Sequence, residues 1–291
     1  MSAQVDKQTG RGAVLYVVAT PLGNPGDLSP RAVETLADVE LIACEDTRRT
    51  GSMLAAHQIR TPTISYYEHN EERRVPELIE RMRGGAAIAL VTDAGTPAIS
   101  DPGYRLVRAA HEAAIRVVAI PGPSAAIAAL SVAGLPTDRF VFEGFLPPRD
   151  SARRSRLKEL ATEPRTIVFY EAARRLSSTL EEMSAVFGPL RVAAVVREIS
   201  KTYEEIARSS LDDLVRRFNE NPPLGEVTLV VSGATDDVRE EAGAVTLGML
   251  LEAGLSLKQA SSVIAKATGR SRREVYQEAI RSRGVEDTEE E

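Results

Sequence analysis

The chain of 291 residues is 43% hydrophobic and 27% charged, with a formal net charge of −6, which is typical of a soluble protein with two domains, or two plus a small appendage. One cysteine excludes an internal disulfide, and the three scattered histidines form no His/Cys metal cluster. The acidic balance argues against general nucleic-acid affinity but allows a local basic face, and the lack of a membrane-length apolar run or signal-peptide core favours a cytoplasmic protein.

The first 135 residues alternate apolar runs with helical patterns, which predicts an α/β fold with a parallel, doubly wound sheet. We expect residues 1–12 to be disordered and residues 13–135 to form the first α/β domain. A helix should begin at Ser29 and Pro30, because a capping side chain precedes a proline at the first helical position. Strands are predicted at residues 14–19, 41–44, 63–67, 86–91 and 117–120.

The second half of the chain has a different pattern. Strands are predicted at residues 140–145, 166–170, 192–196 and 227–231. The segment 197–203 leaves no room for a crossover helix, so this sheet should be partly antiparallel. We expect three further regions: a mixed α+β domain at residues 137–234, a small helical domain resembling a helix-turn-helix at 244–284, and an acidic tail at 285–291.

Three strands of the first domain run into turns rich in glycine, proline and small polar residues. The turns are TPLGNPGD at residues 20–27, TDAGTPAISDPG at 92–103 and PGPS at 121–124. An ordinary strand-to-helix turn explains any one of them, but open α/β folds bind ligands at the carboxyl ends of their strands. Together the turns predict one shared rim. The polar segment 45–48 either belongs to this rim or caps a helix through Asp46 or Thr47.

Several common sites are poorly supported by these turns. The first turn lacks the Gly-x-Gly-x-x-Gly fingerprint and a Walker lysine, which argues against a nicotinamide or ATP site. No nucleophile elbow, metal ligand set or reactive-cysteine environment is apparent. The rim is instead rich in backbone N–H and C=O groups beside small side chains, which suits a ligand held mainly by main-chain contacts.

The turns belong to a larger set of sequence blocks that resembles the tetrapyrrole-methylase-like (class III) S-adenosylmethionine methyltransferases. The other blocks are LYVVATPLGN at residues 15–24, EDTR at 45–48, FYEA at 169–172, REISKTYEE at 197–205 and GEV at 225–227. The resemblance covers nearly the whole chain. Within the family, it is to enzymes that methylate a cytidine ribose 2′-hydroxyl of 16S rRNA at the decoding centre. The first turn departs from the Gly-x-Gly-Pro-Gly-Asp pattern of the porphyrin and corrin enzymes.

The resemblance implies two α/β domains that hold S-adenosylmethionine in the cleft between them, usually in a homodimer. The implied substrate is 16S rRNA or the small ribosomal subunit, and no metal is implied. The implied cofactor contacts are Thr20, Pro21, Leu22, Gly23, Asp93, Gly95, Thr96, Pro97, Ile99, Ser100, Ser124, Ala125, Tyr170 and Thr228.

Charged residues within the matching blocks are candidates for catalysis and RNA contact. A carboxylate could take the ribose proton, and a cation could stabilise the developing oxyanion or hold phosphate. The catalytic candidates are Glu45, Asp46, Asp101, Glu171, Arg197, Glu198 and Lys201. The RNA-binding candidates are Arg48, Arg153, Arg154, Arg156, Arg270, Arg272 and Arg273. Helix caps, ion pairs between strands and a solvated charged surface are the alternatives.

Three functions of different classes stay open on the sequence alone. The favoured one is 2′-O-methylation of a cytidine ribose in 16S rRNA. The second is a methyltransferase of the same fold that acts on a small molecule or a protein side chain, which would leave the basic helical appendage without a purpose. The third is a non-catalytic RNA-binding module that has kept the fold.

Overall fold

The computed structural model describes residues 13–234, 247–268, 271–273 and 275–277. The chain divides into two compact units, one ending at Ala234 and the other following it. The strands are β1 (Val14–Val18), β2 (Leu41–Cys44), β3 (Thr63–Ser65), β4 (Ala87–Leu90), β5 (Arg116–Ile120), β6 (Phe140–Phe145), β7 (Thr166–Ala172), β8 (Val192–Arg197), β9 (Glu205–Ser210) and β10 (Glu226–Val231). The helices are α1 (Pro30–Asp38), α2 (Thr47–Ala56), α3 (Glu71–Arg83), α4 (Tyr104–Glu112), α5 (Ala125–Val132), α6 (Asp150–Leu160), α7 (Leu176–Phe187), α8 (Leu211–Glu220), α9 (Leu247–Glu252) and α10 (Leu257–Thr268).

The first sheet is parallel throughout, with the strand order β3-β2-β4-β1-β5. Alternate residues of β4 point to opposite faces, so Ile88 packs in the core beneath α3 and α4 while Ala89 packs beneath α1 and α2. Both faces are therefore covered by helices, which confirms the predicted doubly wound sheet. The cap at Ser29 is also confirmed, because its side chain accepts a hydrogen bond from the backbone N–H of Ala32.

The second sheet has the order β6-β7-β10-β8-β9 and is mixed. Strands β6 and β7 are parallel, whereas the remaining neighbours are antiparallel, as the short segment between β8 and β9 predicts. Helices α6, α7 and α8 cover one face. Helix α5, which follows the last strand of the first sheet, covers the other face through small residues such as Ala126 and Ala129. Residues 13–234 are thus joined through α5, and a domain boundary near residue 136 stays a prediction.

Several predicted features differ in extent or lie outside the described residues. Strand β3 ends at Ser65 rather than at residue 67, because the Asn70 side chain takes the backbone N–H of Tyr67 at 2.9 Å. A capping box precedes α10, since Ser256 and Gln259 exchange backbone-to-side-chain hydrogen bonds. The predicted disordered start at 1–12 and acidic tail at 285–291 lie outside the described residues, as does much of the domain predicted at 244–284.

Arg153 is not available for the RNA contact predicted for it. Its side chain is only 4% exposed, and its guanidinium binds both carboxylate oxygens of Glu182 at 2.8 and 2.9 Å. The ion pair joins α6 to α7 under the second sheet. The next residue, Arg154, is exposed. Two adjacent arginines of α6 thus differ in role, because Arg153 forms a buried ion pair and Arg154 faces solvent.

We predict that Arg153→Ala lowers the free energy of unfolding by about 3 kcal/mol, because it leaves the Glu182 carboxylate buried without its partner. Arg154→Ala is the matched control and should change the free energy of unfolding by less than about 0.5 kcal/mol. Urea denaturation followed by circular dichroism measures both. Equal stability of the two variants would show that Arg153 does not hold the helices together.

Candidate active site

A cleft of about 680 Å³ lies between the two sheets, which is large enough for a ligand of cofactor size. The turns after β1, β2, β4 and β5 form one wall, and the adjoining ends of β7, β8 and β10 form the other. From the first half the lining residues are Leu22, Glu45, Arg49, Thr92, Asp93, Ala94, Gly95, Thr96, Ile99, Ser100, Asp101, Ser124 and Ala125. From the second half they are Phe145, Tyr170, Glu171, Ala172, Ala173, Arg174, Val196, Ile199, Pro223, Leu224, Gly225, Glu226, Val227 and Thr228.

Hydrogen bonds join the predicted turns into one rim. Thr20 and Gly95 exchange backbone hydrogen bonds of 2.8 and 3.0 Å, and the buried Thr20 hydroxyl donates to the carbonyl of Thr92 at 3.0 Å. The Thr96 hydroxyl donates to the carbonyl of Pro123 at 3.0 Å. The three turns rich in glycine and proline therefore meet at the carboxyl edge of the first sheet, as the sequence predicts.

The turn at residues 92–103 contains strained backbone that a buried carboxylate supports. Ala98 and Ser100 have φ angles of 68° and 62°, which residues with side chains rarely adopt. The Glu71 carboxylate is buried, accepts a hydrogen bond from the Gly103 N–H at 3.0 Å, and accepts another from the Tyr66 hydroxyl at 2.8 Å. Glu71 is a residue that the sequence analysis missed, since a helix beginning with glutamates ordinarily signals only dipole stabilisation.

The cleft concentrates negative charge around Asp101. Burial, together with the charges of Glu45, Asp93 and Glu226, raises the pKa of Asp101 to about 6, and a hydrogen bond from Thr92 opposes the rise. The Thr92 hydroxyl also lies 3.2 Å from the Glu45 carboxylate. Asp101 is therefore a carboxylate that can take a proton at a pH close to neutrality.

Asp93 is fixed from two sides at this wall. Its carboxylate accepts the backbone N–H of Asp46 at 3.1 Å and contacts the Arg49 guanidinium at 3.3 Å. On the opposite wall, the Tyr170 hydroxyl accepts the Ala126 N–H at 3.2 Å and ties the start of α5 to β7. Burial raises the pKa of Tyr170, so its hydroxyl stays protonated near neutral pH.

The structure brings most of the predicted cofactor contacts to the cleft. Four of the predicted residues do not line it, although each lies in one of the turns that do. These are Thr20, Pro21, Gly23 and Pro97. Thr20 is buried beneath the rim, where its hydrogen bonds hold the first turn against the turn at residues 92–103.

Glu171 borders the cleft, but its carboxylate is bound in the protein interior, and the catalytic role predicted for it stays a prediction. Its side chain is only 1% exposed, accepts a hydrogen bond from the Thr179 hydroxyl at 2.6 Å and lies 3.4 Å from Arg175. Along β7, Glu171 alternates with Tyr170, whose ring faces the cleft, so the carboxylate points toward α7.

Asp46 and Arg197 do not line the cleft. Asp46 caps α2, where its hydrogen bond with Arg48 holds the pKa of the Asp46 carboxyl well below its usual range. Arg197 binds the Glu205 carboxylate of the neighbouring strand at 2.6 Å. The helix cap and the ion pair between strands, the alternatives named for such residues, describe these two positions.

Lys201 and Glu198 form a contact between the two halves of the cleft. The Lys201 ammonium lies 3.1 Å from both Glu198 and Glu226. Its aliphatic stem covers Gly23, where an added Cβ would come within 2.5 Å of the lysine Cγ. Ser200 also donates a hydrogen bond to Asp27 of the first turn. Ser200 and Lys201 therefore position the first turn, while Ile199 of the same segment lines the cleft.

Apart from the buried Arg153, the RNA-binding candidates among the described residues are partly or fully exposed. Arg48 is exposed and paired with Asp46, while Arg156 is partly exposed and paired with Glu143 and Glu159. Arg272 and Arg273 are exposed in the second unit, and Arg270 lies outside the described residues. Four charged or aromatic lining residues were not predicted from the sequence, namely Arg49, Phe145, Arg174 and Glu226. Of these, only Glu226 lies in a block that carries the family resemblance.

Two classes of feature are absent from the part of the chain that the structure describes. There, no group of three or more His, Cys, Asp or Glu side chains could hold a metal ion. No described helix is long and apolar enough to cross a membrane.

Comparisons with known proteins add sequence relatives to this geometry. A Synechocystis sp. protein named ribosomal RNA small subunit methyltransferase I is 50% identical over 268 residues, covering 91% of this chain and 96% of its own. A protein of the same name from Escherichia coli O157:H7 is 44% identical over 275 residues, covering 93% and 96%. The RsmI C-terminal HTH domain matches residues 238–283.

Solved structures share the fold at low sequence identity. Uroporphyrin-III-C-methyltransferase from Thermus thermophilus superposes with a TM-score of 0.54 at 22% identity, covering 79% of this chain and 97% of its own. The cobalamin biosynthetic enzyme cobalt precorrin-4 methyltransferase gives 0.56 at 19% identity, covering 76% and 95%. The Tetrapyrrole (Corrin/Porphyrin) Methylases family matches residues 14–215. This family match covers most of the chain, and the sequence relatives are close to half identical to it along nearly its whole length. The chain therefore belongs to the tetrapyrrole methylase family of methyltransferases.

Proposed function

We propose that this protein transfers a methyl group from S-adenosylmethionine to the ribose 2′-hydroxyl of a cytidine in 16S rRNA near the decoding centre. It would act in the cytoplasm as a homodimer. The names of the relatives support an rRNA substrate. The observation that carries the proposal is the cleft itself, where a protonatable carboxylate, Asp101, faces a rim of exposed backbone groups.

The residues of the cleft fit the methyl donor. The donor combines an ammonium and a sulfonium cation with one carboxylate, and the charges of Glu45, Asp93, Asp101 and Glu226 complement its cations. Gly122 packs so closely on Ala19 that an added Cβ would lie 2.9 Å from the alanine Cβ, so glycine is needed for the rim to close. The residues that would hold the donor are Leu22, Gly95, Thr96, Ser124, Ala125, Tyr170 and Thr228.

When bound, the donor supplies a methyl group on a positively charged sulfur, and its transfer to the ribose oxygen releases the hydroxyl proton. Asp101 is placed to take that proton, since its carboxylate is ionised above pH 6 and lies in the cleft. The Thr92 hydroxyl lies between this carboxylate and that of Glu45 and can donate its one hydrogen bond to either. The rim loops orient both reactants and exclude water, which supplies a further share of the rate.

Two other functions compete with this proposal. A methyltransferase of the same fold acting on a small molecule or a protein side chain would use the same donor cleft. A non-catalytic RNA-binding module would not bind the donor. Calorimetric titration with S-adenosylmethionine separates the last from the other two, because only the enzymes should bind it.

We predict that Asp101→Asn lowers kcat by about 100-fold or more, because the amide cannot accept the proton. The kcat of the wild type should fall as the pH drops below about 6, where Asp101 becomes protonated. Since the folded state raises this pKa, ionised Asp101 destabilises the fold above pH 6, so the variant should melt at a higher temperature than the wild type at pH 7.5. That advantage should vanish near pH 4, where the wild-type carboxyl is protonated in the folded protein.

Asp138→Asn, a change at an exposed aspartate away from the cleft, is the matched control and should leave kcat, its pH profile and melting unchanged. Retention of full kcat by Asp101→Asn would rule out the base. A wild-type profile that stays flat from pH 5 to pH 8 would do the same.

The substrate is tested by mapping ribose methylation on small-subunit rRNA. A strain lacking the gene should lose one cytidine 2′-O-methyl mark near the decoding centre, and the wild-type gene should restore it while Asp101→Asn should not. Purified protein assayed on free 16S rRNA and on assembled small subunits identifies which of the two it modifies. An unchanged methylation map in the deletion strain would refute the rRNA substrate.

A further inference from the structure

Phe145 is a large apolar residue that stays exposed in the cleft of the folded protein. It lies at the end of β6, its side chain lines the cleft, and it is 57% exposed. The other phenylalanines of β6, Phe140 and Phe142, are partly buried against α5. Ile99 and Leu224, which line the cleft as well, are also exposed, so both walls present apolar side chains to a ligand.

A β-bulge explains how the ring reaches the cleft. Phe142 pairs with Val168, but Gly144 pairs with Phe169, so Glu143 is an extra residue in the strand. Without the bulge, alternation would place Phe145 on the face of Val141, beneath α6 and α7. The extra residue moves Phe145 to the face of Tyr170 instead, with ring centroids 5.6 Å apart.

The bulge is itself held in place by two contacts. The Glu143 carboxylate binds Arg156 of α6 at 2.5 and 2.9 Å, and Gly144 adopts a φ of 69° that glycine allows. An added Cβ on Gly144 would lie 3.0 Å from the Ser100 hydroxyl, so the bulge abuts the strained turn of the first half. Phe145 directly follows Gly144, and Asp101 directly follows Ser100. The ring and the candidate base therefore lie on the same part of the rim.

A cation lies on the same wall. Arg174 follows β7, lines the cleft and is exposed. Among the described residues, no carboxylate forms a salt bridge with it, whereas Arg49 on the opposite wall pairs with Asp93. An exposed aromatic ring beside an unpaired arginine matches the way proteins bind an unstacked nucleotide, with the base on the ring and the phosphate on the cation.

We infer that Phe145 is the platform on which the target nucleobase stacks and that Arg174 contacts a phosphate beside it. This inference rests on the proposed rRNA substrate. The occupant is a base delivered from outside rather than the donor, because more than half of the ring is exposed to solvent, whereas a bound donor is expected to be mostly enclosed.

The test compares Phe145→Leu with Phe145→Tyr in the full-length protein, using small subunits from the deletion strain and radiolabelled donor. Loss of base stacking should lower kcat/KM for subunits by about 5- to 100-fold in Phe145→Leu, while Phe145→Tyr should stay within about threefold of the wild type because it keeps the ring. The Kd for S-adenosylhomocysteine, measured by calorimetry, should be the same for all three proteins.

Arg174→Ala should raise KM for subunits and reduce its dependence on salt, with Arg60→Ala, a change at an exposed arginine outside the cleft, as the unaffected control. Wild-type activity in Phe145→Leu would overturn the platform alone. Weaker S-adenosylhomocysteine binding in Phe145→Leu would assign the ring to the donor, and a changed sedimentation coefficient would assign it to an interface between copies. A wild type inactive on subunits would overturn the proposed function as well.

Discussion

The backbone pairing of Thr20 with Gly95 is the constraint on which the site depends. It fixes the turn after β1 against the turn after β4, two loops that follow adjacent parallel strands. The Thr20 hydroxyl adds a hydrogen bond to the Thr92 carbonyl, so the turn at residues 92–103 is held at its start, while Glu71 holds its end at Gly103. Strained residues between these anchors are tolerated because both ends are fixed.

The same anchored turn explains the electrostatics of the cleft. Asp93 and Asp101 both lie on it. Glu45, which follows β2 of the first sheet, and Glu226, at the start of β10 in the second sheet, add their charges. Concentrating carboxylates in a half-buried cleft opposes folding, since burial and the charges of the other three raise the pKa of Asp101. A positively charged ligand would relieve this repulsion, and a carboxylate with a raised pKa is suited to accept a proton near neutral pH.

Much of the architecture could be predicted from the sequence because it rests on local pattern. Apolar runs predict the strands, and the short segment after β8 predicts the antiparallel pairing. The turns rich in glycine and proline predict the rim. What the pattern could not give was the direction of single side chains. Glu171 and Tyr170 are adjacent residues whose side chains lie on opposite faces of β7. Which of the two faces borders the cleft depends on how α5 packs on the second sheet.

Phe145 shows the same limit more sharply, because a single extra residue in β6 reverses its side. Arg153 and Arg154 are chemically identical, yet only the helix phase relative to Glu182 buries the first. Long-range partners such as Glu71 and Gly103 are separated by a strand and most of a helix, so no sequence pattern connects them.

The central claim is that the anchored turns form the donor site. A crystal structure of the full-length protein with S-adenosylhomocysteine tests it most directly. The account predicts the ligand between the two sheets, in contact with the backbone of Gly95 and Ala125 and beside Asp101. A ligand bound elsewhere on the protein, with this cleft holding only solvent, would contradict it.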